Sequence, residues 1–210
     1  GISFLYITES ARKETAHAGM RWKVVGSIIR QNYKELGTAG SAQIFAQMIR
    51  AGRRIIVPLY ATNVIHLDVG AVGAVYSVSA GIDMLLFIPA GFVMDRMGRK
   101  FASVPSFIIM AVGMGMIPFT HSFTSLAVAT VVVGLGNGLG AGTMMTLGAD
   151  LAPKEGTGEF LGVWRLMGDS GSTGGPLVVG KIADVVGLSL GAATLAAMGA
   201  IASVLLILFV

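Results

Sequence analysis

Six apolar stretches follow one another down the chain, at Leu36–Ile65, Val69–Val93, Phe101–Phe119, Ser125–Ala149, Phe160–Ala183 and Leu188–Val210, with only short connections between them. Each reaches the length, about 20 residues at 1.5 Å per residue, that a helix needs to cross a hydrocarbon core of about 30 Å. No water is present in that core to take a backbone N–H or C=O. Each crossing segment must therefore satisfy its own hydrogen bonds, and segments of this length do so as α-helices. Charge is correspondingly scarce: 12% of the 210 residues are charged and 54% hydrophobic, whereas a soluble domain carries about 25% charged residues. The fold class that follows is all-α and polytopic, with six transmembrane helices.

The connections alternate in charge. Those at His66–Asp68, Thr120–Thr124 and Asp184–Gly187 hold no Lys or Arg. By contrast, Asp95–Lys100 holds Arg96, Arg99 and Lys100, Leu151–Glu159 holds Lys154, and Glu9–Glu35 holds Arg12, Lys13, Arg21, Lys23, Arg30 and Lys34. Basic residues near span ends stay on the cytoplasmic side during insertion. The second set is therefore expected in the cytoplasm, and an even number of spans returns the C-terminus there. The expected location is the cell (plasma) membrane. The net charge of +4 comes from these connections, so nucleic acid is not an expected partner. The chain has no cysteine and three scattered histidines, which excludes disulfides, thiol catalysis and a cysteine or histidine metal cage. No metal and no cofactor are expected.

Gly1–Thr8 is apolar and lacks the leading basic residues of a signal peptide. It reads as the end of a preceding transmembrane helix, which makes the sequence a piece of a longer protein. Residues 9–35 then form a basic cytoplasmic linker, and residues 36–210 the six-helix unit. Within the linker, Met20–Tyr33 interleaves Trp22, Val24, Val25, Ile28 and Ile29 with basic residues. An amphipathic helix on the membrane surface and a solvated basic loop both accommodate that pattern.

Thirty glycines would weaken soluble helices, but between helices in lipid they let backbones approach closely. Gly134, Gly136, Gly138, Gly140 and Gly142 alternate within one span, which is expected to be tightly packed and bent. A phosphate-cradling loop would need a preceding strand and a lysine that the run lacks. Gly91, Asp95 and Gly98 close the second span, and Gly180, Asp184 and Gly187 close the fifth at the same spacing. Three spans separate the copies, so they face opposite sides of the membrane, as two inverted three-helix repeats require.

A charged side chain inside the bilayer is costly, and each one marks a site with a partner to find. Arg50, Arg53 and Arg54 lie near the middle of the first span. Gln43, Gln47, Arg50 and Arg54 recur at helical spacing and share one face. That face is expected to line a polar cavity, with structural ion pairing to other helices as the alternative. In the second span Tyr76, Ser79 and Asp83 share a face. Asp83 is the expected counter-ion, either as a proton carrier or as a fixed partner of an arginine. The fifth span places Arg165 and Asp169 one turn apart, with Ser172 beside them, which suits a neutralising pair along one helix. Asn137 is the main polar side chain of the fourth span and suits either interhelical hydrogen bonding or ligand contact. Pro58, Pro89, Pro118 and Pro176 fall within or at the ends of spans, where they free backbone carbonyls and permit kinks.

The stretch Gly91–Lys100 reads G-F-V-M-D-R-M-G-R-K and resembles the cytoplasmic loop motif G-x-x-x-D-R-x-G-R-K of the major facilitator superfamily (MFS) of transporters. Asp150, Pro153 and Gly158 look like a later cytoplasmic loop of that family, with Thr157 where members often carry arginine. G-G-P-L-V-V-G at Gly174–Gly180 is similar to its glycine-proline helix motif. The resemblance implies the C-terminal half of such a transporter, helices seven to twelve, built from two inverted three-helix repeats. It implies a missing N-terminal six-helix half as partner, and alternating access around a central cavity. The substrate and cavity candidates are then Gln47, Arg50, Arg53, Arg54, Tyr76, Asp83, Asn137, Arg165 and Asp169. Gly91, Asp95, Arg96, Gly98, Arg99 and Lys100 are implied as a conformational latch, and Gly175, Pro176 and Gly180 as helix-packing residues.

The function so implied is secondary active transport of small organic solutes, with a proton as coupling ion. The loop and glycine-proline motifs suggest efflux of drug-like compounds by antiport. Three central arginines favour the alternative of an importer of organic anions, carboxylates or sugar acids. A non-transporting receptor or assembly subunit of the same fold is a second class. An enzyme would need a serine-histidine-acid set, paired metal ligands or a cofactor loop, and the spans contain none.

Overall fold

The computed structural model describes residues 24–209. The helix end expected at Gly1–Thr8 and the linker up to residue 23 lie outside the described residues. The described remainder of the linker is helical over residues 24–31 (α1). Its Ile28 is buried close to Gly156, in the connection before the fifth span, so this part of the linker turns one apolar side chain onto the bundle.

The six spans are α2 (Tyr33–Asn63), α3 (Val69–Met97), α4 (Arg99–Met116), α5 (Phe123–Leu139) with α6 (Thr143–Leu151), α7 (Thr157–Val186) and α8 (Leu188–Phe209). A 3-10 turn, Ile117–Phe119, extends α4. The fourth span is two helices because the chain breaks at Gly140–Gly142, where Gly142 takes the left-handed φ of 76° that favours glycine. Local chemistry sets the other ends. The Asp68 carboxylate caps α3 by accepting from the N–H groups of Gly70 and Ala71, and Ser122 and Ser125 form a reciprocal cap on α5. Four spans, Val69–Met97, Arg99–Phe119, Phe123–Leu151 and Leu188–Phe209, are long and apolar enough to cross a membrane. The other two, α2 and α7, have the length, at 31 and 30 residues, but carry the central charges.

Packing follows a swapped pattern. α2 lies against α7 and α8, α5 against α3 and α4, and α4 against α8. Exchanging the triplet α2, α3, α4 with the triplet α5/α6, α7, α8 maps this set of pairings onto itself, as two three-helix repeats require. The sequence echo falls at equivalent joints. Gly98 between α3 and α4 has φ 95° and ψ 162°, and Gly187 between α7 and α8 has φ 104° and ψ 159°. Each N–H closes on the carbonyl four residues back, at Met94 and Ala183.

Glycines set how closely the helices approach. Gly134 and Gly138 of α5 meet Ser79 and Asp83 of α3, while Gly136 and Gly140 meet Met110 and Ser106 of α4. The alternation in sequence thus serves two neighbours from opposite sides of one helix. Gly171 and Gly175 of α7 press on the backbone of Ile44 and Met48 of α2. Gly180, expected to pack in the same way, faces open space within this chain, and Pro176 is half-buried.

Candidate functional site

The central charges of α2 meet polar groups of α3 and α5 near the middle of the bundle. Arg53 Nη2 lies 3.2 Å from Asp83 Oδ2, and Asn137 Nδ2 donates to the same oxygen at 2.6 Å. Both members of the ion pair are partly shielded, at 14% and 22% side-chain exposure. A cation, an anion and an amide from three different helices thus satisfy one another where each alone would be costly.

One turn along α2, Arg50 is held differently. Its Nη2 donates to the Gly140 carbonyl at 2.6 Å, and its guanidinium lies 5.1 Å from the centre of the Phe107 ring, within cation–π range. That carbonyl also accepts from the N–H and the hydroxyl of Thr143. Arg50 therefore closes the break between α5 and α6. The Nε groups of Arg50 and Arg53 are buried with no partner among the described residues.

Beside the ion pair is a cavity of about 30 Å³, lined by Arg53, Val57, Tyr76, Ser79, Ala80, Thr130 and Val133. The Ser79 hydroxyl donates to the Thr130 carbonyl at 2.7 Å, which ties α3 to α5 at the cavity wall.

The structure thus joins Arg53, Asp83 and Asn137 into one cluster, with Tyr76 on the wall of the adjoining cavity and Arg50 one turn away on α2. The face expected to carry Gln43, Gln47, Arg50 and Arg54 divides. Gln43 is buried near Gly168 of α7, Gln47 is half-buried and Arg54 is exposed. Arg165 and Asp169 stand apart on α7, 3.8 Å from each other and at 85% and 68% exposure. They pair along their own helix and do not join the Asp83 cluster.

In the Gly91–Lys100 stretch the charges also divide. Arg99 Nη2 donates to Asp150 at 3.1 Å, linking the start of α4 to the end of α6, and Lys100 Nζ donates to the Ile207 carbonyl at 2.8 Å. Asp95 and Arg96 are exposed and have no ion-pair partner among the described residues. Gly91 meets no other helix within this chain, and Gly98 supplies the positive φ of the joint.

Sequence reasoning missed Phe107, Thr130 and the Gly140 carbonyl. Thr130 had a signal, since it lies seven residues before Asn137 on the same helical face. Phe107 had none, being one apolar residue among many.

Relatives agree with this architecture. The model of the Major Facilitator Superfamily matches residues 39–210. The chain is 28% identical over 147 residues to an uncharacterized MFS-type transporter of Mycobacterium tuberculosis, covering 69% of this chain and 21% of that protein. It is 28% identical over 107 residues to the minor myo-inositol transporter IolF of Bacillus subtilis, covering 50% and 24%. Two solved structures share the fold. One is a POT family transporter in complex with 5-aminolevulinic acid, with TM-score 0.73, 17% identity, and coverage of 84% of this chain and 38% of that one. The other is a POT family transporter in complex with a thioalcohol conjugated peptide, with TM-score 0.74, 17% identity, and coverage of 88% and 40%. The chain spans under a quarter of the length of these curated relatives and under half of the solved structures. Because the family match runs from early in the first span to the end of the sixth, the chain belongs to the Major Facilitator Superfamily.

Proposed function

We propose that this chain is the C-terminal six-helix half of a secondary active transporter. In this reading it moves a small organic solute by alternating access, coupled to protons and in the direction of efflux, and its basic connections face the cytoplasm. The observation that carries the reading is the Arg53–Asp83–Asn137 cluster. A carboxylate near the middle of a span, held by one arginine and one amide, can exchange that arginine for a proton, and each state favours a different arrangement of α2 against α3. The Gly91–Lys100 and Gly174–Gly180 motifs favour efflux.

The competing reading, an importer of organic anions, is favoured by Arg54, an exposed cation in the same turn as the ion pair.

Reconstitution of the intact protein in proteoliposomes with an imposed pH gradient tests both readings. Expected is proton-driven extrusion of organic cations or dyes, with D83N losing proton-driven transport while keeping solute exchange at equal pH. Proton-driven accumulation of carboxylates instead establishes the importer, and unimpaired proton-driven transport by D83N rejects Asp83 as the coupling group.

A further inference from the structure

We infer that Asp184, at the outer end of α7, is a contact point for the other half of the transporter and holds the outer side closed, as the second repeat's counterpart of Asp95. This rests on the reading of the chain as half of an alternating-access transporter.

α3 and α7 end on joints of one geometry. Gly98 and Gly187 have φ of 95° and 104° with ψ of 162° and 159°, a region open to glycine almost alone. Aligned on these two glycines, the helices bury the same positions. Val75, Ser79 and Ala90 of α3 correspond to Trp164, Gly168 and Val179 of α7, and each of them is buried. Where α7 further buries Phe160, Gly171 and Gly175, α3 has the half-buried Ala71, Ile82 and Leu86. In this register Asp95 corresponds to Asp184, and both are exposed. Their equivalence is therefore one of place in the fold as well as of sequence spacing.

The two helices cross the membrane in opposite directions. α3 ends at the basic connection Asp95–Lys100, whereas α7 ends at Asp184–Gly187, which holds no Lys or Arg. By the charge bias Asp184 stands on the outer side.

This half offers Asp184 no cation. It forms no ion pair among the described residues. Lys181, on the same helix, is exposed and unpaired with it. The other outer connections, His66–Asp68 and Thr120–Thr124, also hold no Lys or Arg.

The face of α7 that leads to Asp184 is unsuited to lipid. At about 100° per residue, Asp169, Thr173, Gly180 and Asp184 fall within an arc of about 60°. Asp169 and its partner Arg165 are 68% and 85% exposed in this chain, and a charged pair facing hydrocarbon is costly. Protein or water must cover this face, and the chain spans under half of the solved structures that share its fold. The occupant at the outer end is the other half, meeting Asp184 through a Lys or Arg side chain.

A carboxylate that meets its cation only when the halves approach on the outer side favours that state by the free energy of the contact. Asp95, on the opposite side, favours the opposite state. Removing either charge therefore shifts the population, and the two shifts have opposite signs.

The test uses a cysteine-free version of the intact protein carrying T173C, on the α7 face that holds Asp169. Trimethylammonium-ethyl methanethiosulfonate, a membrane-impermeant cationic thiol reagent, is added outside cells, and the labelling rate reads how often the outer side is open. Expected is a rise of at least about threefold for D184N, the scale of one exposed charge contact, and a fall for D95N. Loss of a negative charge alone slows a cationic reagent, so the expected rise is opposite in sign to a direct electrostatic effect. D184E and K181Q label as parent does, the D95N/D184N double variant lies between the single ones, and unfolding temperatures stay near parental. In inverted vesicles the same variants, labelled from the cytoplasmic side, show the opposite changes.

D184N labelling at or below the parental rate, in the parent and D95N backgrounds alike, overturns the inference. So does a K181Q that reproduces D184N, which places the contact within α7, and so does a T173C that labels in no variant. If D184N raises outer labelling without lowering cytoplasmic labelling, alternating access itself has failed. If D95N shifts both sides while D184N shifts neither, only the outer contact falls.

Discussion

At the scale of single residues, the site turns on which arginine meets Asp83. The three arginines of α2 lie within little more than one turn, so the sequence narrows the partner to a short arc of helix. The choice depends on the rotation of α2 against α3, which is set by packing elsewhere: Gly52 against Leu195, and Gly171 and Gly175 against the α2 backbone. For that reason Asp83 and Asn137 were legible as polar residues in apolar spans. Arg53 was not singled out from Arg50 and Arg54. The pairing has a measurable consequence. R53Q leaves the partly buried carboxylate with only the Asn137 amide, and an unsatisfied group of that kind costs about 1–3 kcal/mol. The double change R53Q with D83N removes the charge together with its partner. Thermal unfolding of the purified intact protein in detergent is therefore expected to show R53Q as less stable than the double variant. Additive losses would mean that the two side chains are energetically independent.

At the scale of helices, the boundaries were legible because a bilayer span has a required length and charge avoids it. Subdivision of the fourth span was legible only as an expected bend. Its cause is the left-handed Gly142 and the capture of the Gly140 carbonyl by Arg50, and no local pattern announces a contact across 90 residues. The alternating glycines were legible as packing residues, but which neighbour each one meets depends on tertiary placement. A Cβ added at Gly138 would come within 2.7 Å of the Asp83 carbonyl oxygen, whereas one at Gly37 meets nothing. G138A is expected to force α3 and α5 apart, cost about 1–3 kcal/mol, and, under the proposed coupling, impair transport by moving Asp83. G37A, at an exposed helical position, is expected to be neutral or slightly stabilising, because alanine is the better helix former by about 1 kcal/mol. Unfolding temperatures of the two variants, measured side by side, check the contrast; equal effects would show that the α3–α5 approach is not limiting.

At the scale of the whole molecule, the two triplets interlock through α4 and α8 and leave broad faces of α3 and α7 exposed in this chain. The α3 face is apolar, with Met84, Leu85, Phe87, Ile88 and Phe92 outward, while that of α7 carries the Arg165–Asp169 pair. The same partition appears in the charges at the end of the bundle that carries the basic connections. Arg99 and Lys100 are engaged by Asp150 and the Ile207 carbonyl, so they hold α4, α6 and α8 of this half together. Asp95 and Arg96, two turns of sequence from them at most, remain exposed without an ion-pair partner among the described residues. A charge that forms its contact only in one conformation affects the rate of interconversion more than the stability of either half. D95N in the intact protein is therefore expected to slow transport several-fold while leaving solute affinity and unfolding temperature near parental values. R99Q, which severs a partly exposed link worth no more than about 1 kcal/mol, is expected to lower the unfolding temperature slightly and act on transport only through that loss. Transport rate, equilibrium binding and thermal unfolding measured together on both variants separate the two roles. If D95N destabilises the protein as R99Q does, Asp95 belongs to the scaffold of this half and not to a contact that opens and closes.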